Sequence, residues 1–388
     1  MKYTNTLIIV LLAIGRIAFA EVSNGLAPEA TDLSPKSVSW AAEAKLPDLE
    51  KAFISTAPAN RNDGIPAGKL ENSAALLVFA NEIAAGQHGE IDSLLLAHHG
   101  KLLFESYYRR GRINYPHYQM SITKSYTAMA IGRAVQLGYL TMADLDKPAI
   151  SFLKEVDQGK LVPGAASITL AEAMNMRSGI RLAEGKAKEL LQQPAALKGQ
   201  GQVRAYLENS SPIPAPPRAF KYQEADPSIT MQVLETVVPG GAKEFIAKEV
   251  FGKMGITNFV WETDVSGLPK AAAGSGLTSR DMLKWGLLVL QKGKWQGEQL
   301  IPAAFVERAT SPLSLSYGKS FYGFFWWVED PQVAGKAWHC MEGRGAGGQF
   351  IFMYPELDLI AVITAHHKGM GTMLATAPNK ILPAFMAK

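Results

Sequence analysis

The sequence predicts an α+β fold in which one antiparallel sheet is flanked by helices, with a mostly helical domain inserted between the halves of the sheet. Three observations predict it. Residues 91–97 and 101–108 are strand-like runs meeting at His99-Gly100, a hairpin signature. Residues 349–354 and 359–364 repeat that pattern around Pro355-Glu356-Leu357-Asp358. Between these pairs, from about residue 141 to about 250, the pattern is helical with long loops. Strands at both ends of a chain and helices in its middle join distant segments in one sheet.

Taken in order, residues 21–69 are rich in Ala, Pro, Asn and Asp and read as an irregular arm over the surface, with a turn at Asn60-Arg61-Asn62-Asp63-Gly64. Residues 70–85 carry helical spacing through Leu76, Leu77, Phe79 and Ile83. An amphipathic helix starts at Ser121, with Ile122, Met129, Ile131, Val135 and Leu137 on its apolar side and a stop at Gly138. Thr141-Met142-Ala143-Asp144 resembles a capping box. A helix over residues 172–176 leads into the turn Arg177-Ser178-Gly179, and residues 184–200 and 211–218 are loops. Thr278-Ser279-Arg280-Asp281 opens another helix through Leu283, Trp285, Leu287 and Leu288, after a glycine-rich stretch at 271–276. Residues 321–328 read as a strand. The resulting division is a leader over 1–20, the arm over 21–69, a sheet domain from 70–140 and 256–388, and a helical domain over 141–255.

At 388 residues, with 47% hydrophobic and 19% charged residues, the chain is an ordinary globular protein. Lys2, the apolar run from Leu7 to Ile14 and Ala18-Phe19-Ala20 form a secretory leader, with cleavage expected after Ala20. The run is far shorter than the roughly 20 apolar residues of a membrane span. Periplasmic or secreted localisation is therefore expected, with no stable membrane span after leader removal. The net charge of +4 includes Lys2 and Arg16 of that leader. So small a charge excludes nucleic acid as an expected partner. Cys340 is the only cysteine, so no internal disulfide forms, and it reads as a packed residue more readily than as a nucleophile. His98 and His99 read as an exposed hairpin pair. No His, Cys and carboxylate cluster with ligand spacing stands out, so no metal is expected.

The chemistry concentrates at Met120-Ser121-Ile122-Thr123-Lys124-Ser125. A Ser-x-x-Lys at a helix start puts nucleophile and base one turn apart on one face. There the unpaired backbone N–H groups favour developing negative charge. The lysine can take the serine proton if burial or a neighbouring cation keeps its amine neutral. Ser151-Phe152-Leu153-Lys154 and Ser316-Tyr317-Gly318-Lys319 share the spacing, but only Ser121 begins a sustained helical pattern.

Five pieces in this order resemble the serine hydrolases related to class C β-lactamases and penicillin-binding proteins: Met120–Ser125, Met176-Arg-Ser-Gly179, Phe220-Lys-Tyr222, Gly276-Leu-Thr-Ser-Arg-Asp281 and Gly345-Ala-Gly-Gly-Gln349. The resemblance runs from about residue 91 to the C-terminus and implies a β-lactamase/transpeptidase-like fold. It implies an acyl-enzyme on Ser121, with Lys124 holding the proton network and Tyr222 shuttling a proton to the leaving group. A phenol beside an ammonium is expected to have a depressed pKa. The implied oxyanion hole combines the Ser121 N–H with one from the stretch Gly345, Ala346, Gly347 and Gly348, read as a strand.

Two departures redirect the substrate expectation. Class C β-lactamases carry asparagine two residues after the tyrosine, where this chain has Glu224, and Lys-Thr-Gly on the facing strand, where it has Glu342-Gly343-Arg344-Gly345. A buried carboxylate at Glu224 would repel an anionic substrate, and Arg344 is a candidate replacement clamp for a carboxylate. Asp226 and Gly348-Gln349 fit the esterase and 6-aminohexanoate-oligomer hydrolase branch, so Glu224, Asp226 and Arg344 are the substrate-binding candidates. Trp326, Trp327 and Trp338 are candidates for an acyl pocket, set against simple core packing. The expected function is cleavage of a small-molecule carboxylic ester or amide, with no cofactor. The competing readings are β-lactamase or penicillin-binding DD-peptidase activity, and a catalytically silent member that binds cell-wall fragments or protein. Oligomeric state is left open by the sequence.

Overall fold

Apolar strand segments from three regions of the chain pair into a single nine-stranded sheet in the computed structural model, which describes residues 22–23, 25–31 and 38–386. The leader sequence lies outside the described residues. The strands are β1 (Phe53–Ser55), β2 (Ile91–His98), β3 (Lys101–Tyr107), β4 (Ser314–Leu315), β5 (Phe321–Tyr322), β6 (Trp327–Glu329), β7 (Cys340–Gly345), β8 (Gln349–Tyr354) and β9 (Leu359–Ala365). Their order is β1-β3-β2-β9-β8-β7-β6-β5-β4, with every neighbouring pair antiparallel.

Alternation along the central strands divides the interior in two. Leu359, Ala361 and Ile363 pack with Leu76, Phe79, Met373 and Ile381 from the helices Ala74–Ala84 and Met373–Ile381. Ile360 and Val362 face the other way, onto Met129 and Trp285 of the helices Ile122–Gln136 and Ser279–Leu290. With helices on both faces, the α+β architecture expected from the sequence is present.

Three local expectations change. The helix after Ser121 is not amphipathic: every residue from Ile122 to Ala134 is buried. It lies in the middle of the molecule, between the sheet and the helix Ala225–Val237, so it has no solvent face until its last turn. The stretch 321–328 is two short strands rather than one. Phe325 adopts φ +60 and donates its N–H to the Met174 carbonyl at 2.9 Å, tying the break to the helical insert. The N-terminal arm is partly regular. Phe53–Ser55 extends the sheet edge against β3, and a short helix at Trp40–Glu43 packs on the strand His117–Tyr118. The Thr141/Asp144 capping box forms and opens a 3-10 turn, and Gly138 ends the preceding helix at φ +78.

Candidate active site

Ser121 stands at the entrance of the helix Ile122–Gln136, where the chain leaves the strand His117–Tyr118. Met120, just before it, is held at φ +49, a costly conformation for a non-glycine residue. Neighbouring elements fix it there. Gln119 N–H donates to Ser275 O at 2.8 Å, and Ser275 N–H donates to Thr123 Oγ1 at 3.2 Å. The end of β7 presses from the other side, where a Cβ on Gly345 would sit 2.4 Å from the Gln119 carbonyl oxygen. Glycine at that position is what allows the approach. The Ser121 N–H itself makes no hydrogen bond among the described residues.

One turn on, Lys124 Nζ lies 3.0 Å from Ser121 Oγ and 2.6 Å from the carbonyl oxygen of Ala272. Its side chain is buried. Burial lowers its pKa to about 7; the Glu224 carboxylate pulls it up and Lys270 pushes it down. The amine is therefore substantially neutral near pH 7 and can accept a proton. Of the three Ser-x-x-Lys matches, this one brings its lysine onto its serine. Ser151 Oγ donates to Pro148 O, and Ser316 Oγ donates to Ser320 O.

Tyr222 reaches the same point from the segment before the helix Ala225–Val237. Its ring stacks on Trp327 with centroids 5.7 Å apart, and Lys124 Nζ lies 4.7 Å from its centroid. The ammonium-lowered phenol expected from the sequence is not found. Burial pushes the Tyr222 pKa up to about 12, outweighing the opposite pull of the Ser121 hydroxyl. At this site the lysine is the group moved toward neutrality and the tyrosine keeps its proton.

The turn Arg177-Ser178-Gly179 holds the tyrosine segment through Asp226. Asp226 is fully buried and accepts from Ser178 N–H at 3.1 Å, from Ser178 Oγ at 3.0 Å and from Gln223 Nε2. Burial raises its pKa to about 7. Asp226 thus faces inward onto the turn and is not placed to touch a substrate, contrary to the sequence expectation. Arg344 is also corrected. It is buried with Nε 2.6 Å from Glu342 and a terminal nitrogen 2.8 Å from Glu329, and its guanidinium lies over the Trp327 ring. A buried cation needs such partners. With two carboxylates on it, Arg344 is no free clamp for a substrate carboxylate. Glu224 is exposed rather than buried, at the start of the helix Ala225–Val237.

The glycine stretch divides as well. Gly345 ends β7, while Ala346, Gly347 and Gly348 form a turn and not a strand. Gly347 N–H donates to Gly369 O and Gly348 N–H to Gly345 O, so those two amides are engaged within the loop and not free for an oxyanion. Ala346 is exposed in the same turn. Trp326 and Trp338 are core residues, and Trp327 alone of the three touches Tyr222. Cys340 is fully buried and burial drives its thiol pKa far up, consistent with packing.

Sequence reasoning missed the Ala272 carbonyl, which has no side-chain signal, and a buried polar cluster behind the nucleophile strand. In that cluster Glu43 accepts from His117 Nδ1 and from Tyr118 N–H at 3.1 Å, while Arg110 Nε lies 3.1 Å from Asp92. Glu43, Asp92 and His117 come near enough to one another for metal ligation, yet Arg110 and the His117 ring already supply the countercharges. A separate cavity of about 360 Å³ lies beside the strand Phe259–Trp261 and includes none of Ser121, Lys124 or Tyr222 in its lining.

The sequence matches the β-lactamase family profile over residues 82–383, well over half the chain. No curated protein sequence matches it. Solved structures share the fold at low identity. A protein provisionally described as a 6-aminohexanoate-dimer hydrolase from Bacillus anthracis is 18% identical, with a TM-score of 0.63 over 94% of this chain and 90% of that one. A penicillin-binding protein from Bacillus halodurans is 15% identical, with a TM-score of 0.58 over 76% of this chain and 97% of its own. A D-stereospecific amidohydrolase from Streptomyces sp. is 17% identical, with a TM-score of 0.57 over 82% and 99%.

Proposed function

Given that this chain belongs to the β-lactamase family, we propose that it is an exported serine hydrolase that cleaves a carboxylic ester or small amide through an acyl-enzyme on Ser121. The observation that carries the reading is the buried Lys124 amine 3.0 Å from Ser121 Oγ with its pKa lowered to about 7.

In the forward step Ser121 Oγ attacks the carbonyl carbon while its proton passes to the lone pair of neutral Lys124. The carbonyl oxygen becomes an oxyanion, received by the unpaired Ser121 N–H and by an amide at the Gly345 end of β7. Tyr222, which holds its proton, gives it to the departing alkoxide or amine as the carbon–heteroatom bond breaks, and Lys124 returns a proton to the phenolate. Water then attacks the acyl-enzyme, giving its proton to the same pair, and the acid leaves with Ser121 restored. Ala272 O holds the amine of Lys124 in place through both halves. The engagement of Arg344 by Glu342 and Glu329 leaves that arginine unavailable to a substrate carboxylate, which favours an ester or amide without one over a β-lactam.

Intact mass after treatment with a fluorophosphonate, beside a Ser121→Ala control, tests the nucleophile. A single adduct on the wild type alone is the expected result. No adduct on folded protein overturns the hydrolase reading and leaves a silent binding protein. Stable labelling of Ser121 by a fluorescent penicillin, without turnover of short acyl esters, would instead assign penicillin-binding activity.

A further inference from the structure

The Ser121 N–H is unpaired among the described residues, and so is that of Ala346, the first residue beyond β7. A Cβ on the preceding Gly345 would meet the Cβ of Met120 at 3.2 Å, so the turn 346–348 begins against the segment that enters Ser121. The reach of the Ala346 amide depends on how that turn is held.

The loop after β9 holds it on one side. Gly347 N–H donates to Gly369 O, and His367 N–H donates to Gly347 O at 2.9 Å. Trp40 holds it on another. Gly347 has φ +86, and a Cβ there would sit 2.1 Å from the end of the Trp40 ring, so the indole lies directly on the backbone of the turn. The same indole stacks on His366 with centroids 3.5 Å apart and planes 13° from parallel. His366 is fixed in turn, its N–H donating to Glu90 O at 2.9 Å.

The helix Trp40–Glu43 is anchored at both ends. Ser39 Oγ accepts from Ala42 N–H at 3.1 Å, and Glu43 accepts from Tyr118 N–H at 3.1 Å. A single turn of helix thus braces two walls of the site: Glu43 grips the strand leading to Ser121, and Trp40 presses on the turn beyond β7. Both residues precede residue 82, where the family match begins, so the brace is an addition to the matched domain.

We propose that Trp40 is a positioning residue for acyl transfer, its indole pinning the turn 346–348 so that the Ala346 amide joins that of Ser121 in receiving the oxyanion. The proposal rests on the reading of Ser121 as an acyl-transfer nucleophile. Trp40 acts through Gly347, so its loss weakens the stabilisation of the oxyanion and leaves substrate affinity and the titration of Lys124 as they are.

The test is steady-state kinetics on a short acyl nitrophenyl ester across a pH series, with rates normalised to the folded fraction from circular dichroism. It compares the wild type, Trp40→Ala, Trp40→Leu, Trp40→Phe, Gly347→Ala and the double variant Trp40→Ala/Gly347→Ala. In Trp40→Ala kcat is expected to fall at least about tenfold, part of the loss that follows deletion of an oxyanion donor, with KM held within about twofold and the pH midpoint unmoved. Trp40→Leu, which keeps apolar bulk without a ring to stack, is expected to match it and carries the test if Trp40→Ala does not fold. Trp40→Phe keeps a ring for His366 and is expected to recover part of the rate. Gly347→Ala puts a methyl group where the indole lies, so its harm is expected to be smaller in the Trp40→Ala background than in the wild type. An adduct with fluorophosphonate on wild-type Ser121 shows that the nucleophile reading stands. With that adduct present, any of four results overturns this proposal alone: wild-type kcat in the folded Trp40 variants, a raised KM at unchanged kcat, a shifted pH midpoint, or equal Gly347→Ala losses in both backgrounds. Absence of both adduct and ester turnover in the wild type overturns it together with the hydrolase reading.

Discussion

Burial assigns the protons at this site, residue by residue. It moves Lys124 toward neutrality, with Lys270 adding a smaller push, and keeps Tyr222 protonated, the two states that the proposed route needs in its base and its acid. On the proposed route the active form has Lys124 deprotonated. We expect kcat/KM to rise with pH through a midpoint near 7 and then stay level to about pH 10, because Tyr222 titrates only at about 12. A pH–rate profile with a falling limb below pH 9 would contradict the assignment. The same burial costs stability. The folded-state pKa of Lys124, about 7, lies below the ordinary 10.5, so folding expels a proton between those values. Lys124→Met should therefore abolish activity and raise Tm, with its advantage over the wild type complete below about pH 7 and shrinking toward pH 10. Thermal melts at several pH values read this directly. Ser121 and Lys124 were legible because helical spacing alone puts them on one face. The fates of Arg344 and Glu224 were not. The pairing of Arg344 with Glu329 crosses from β7 to β6, and whether a carboxylate at a helix start is exposed depends on what packs over it.

Single elements decide where those residues stand. The turn before Gly179 is tied to the Tyr222 segment by the inward-facing Asp226, an aspartate that the sequence suggested for substrate contact, and by Gln223 Nε2, which donates to Ser178 Oγ at 3.2 Å. Asp226→Ala leaves a buried Ser178 N–H without its acceptor. The loss should cost about 1–3 kcal/mol of stability and lower kcat more than it raises KM, since the turn positions Tyr222 and meets no substrate. Urea melts and steady-state kinetics on one preparation check both. Gly345→Ala is a test of the strand end. A methyl group 2.4 Å from the Gln119 carbonyl oxygen must push β7 away from the segment that enters Ser121, and fluorophosphonate labelling should slow at least about tenfold. The hairpins were legible because period-two alternation is local. The break in the stretch 321–328 was not, since Phe325 is set by a hydrogen bond to Met174, which lies far away in sequence.

Across the whole molecule, the N-terminal arm is a structural part of the site, although its composition reads as surface wrapping. Glu43 and His117 are both fully buried and lie 74 residues apart. No local pattern signals such a pair. Burial opposes the charge on His117, but the Glu43 carboxylate outweighs it and holds the His117 pKa above the ordinary 6.5. The stabilisation is therefore complete below 6.5 and is lost as pH rises through the folded-state value. Glu43→Gln should lower stability by about 3–5 kcal/mol at acidic pH, as expected for breaking a buried pair, and by less in alkaline buffer. A denaturant series at pH 6 and at pH 9 measures the difference.

The close fit of Gly345 against the Gln119 carbonyl has a consequence for synthesis. The Ser-x-x-Lys motif leaves the ribosome complete once residue 124 is made, yet the segment entering the serine is braced by Ser275 and by a strand that ends at Gly345. A nascent or truncated chain lacking that strand carries the reactive residues without the frame that arms them. If Ser121 is the nucleophile, competence is expected only once the last third of the polypeptide is made, and an unfinished copy is expected to be latent.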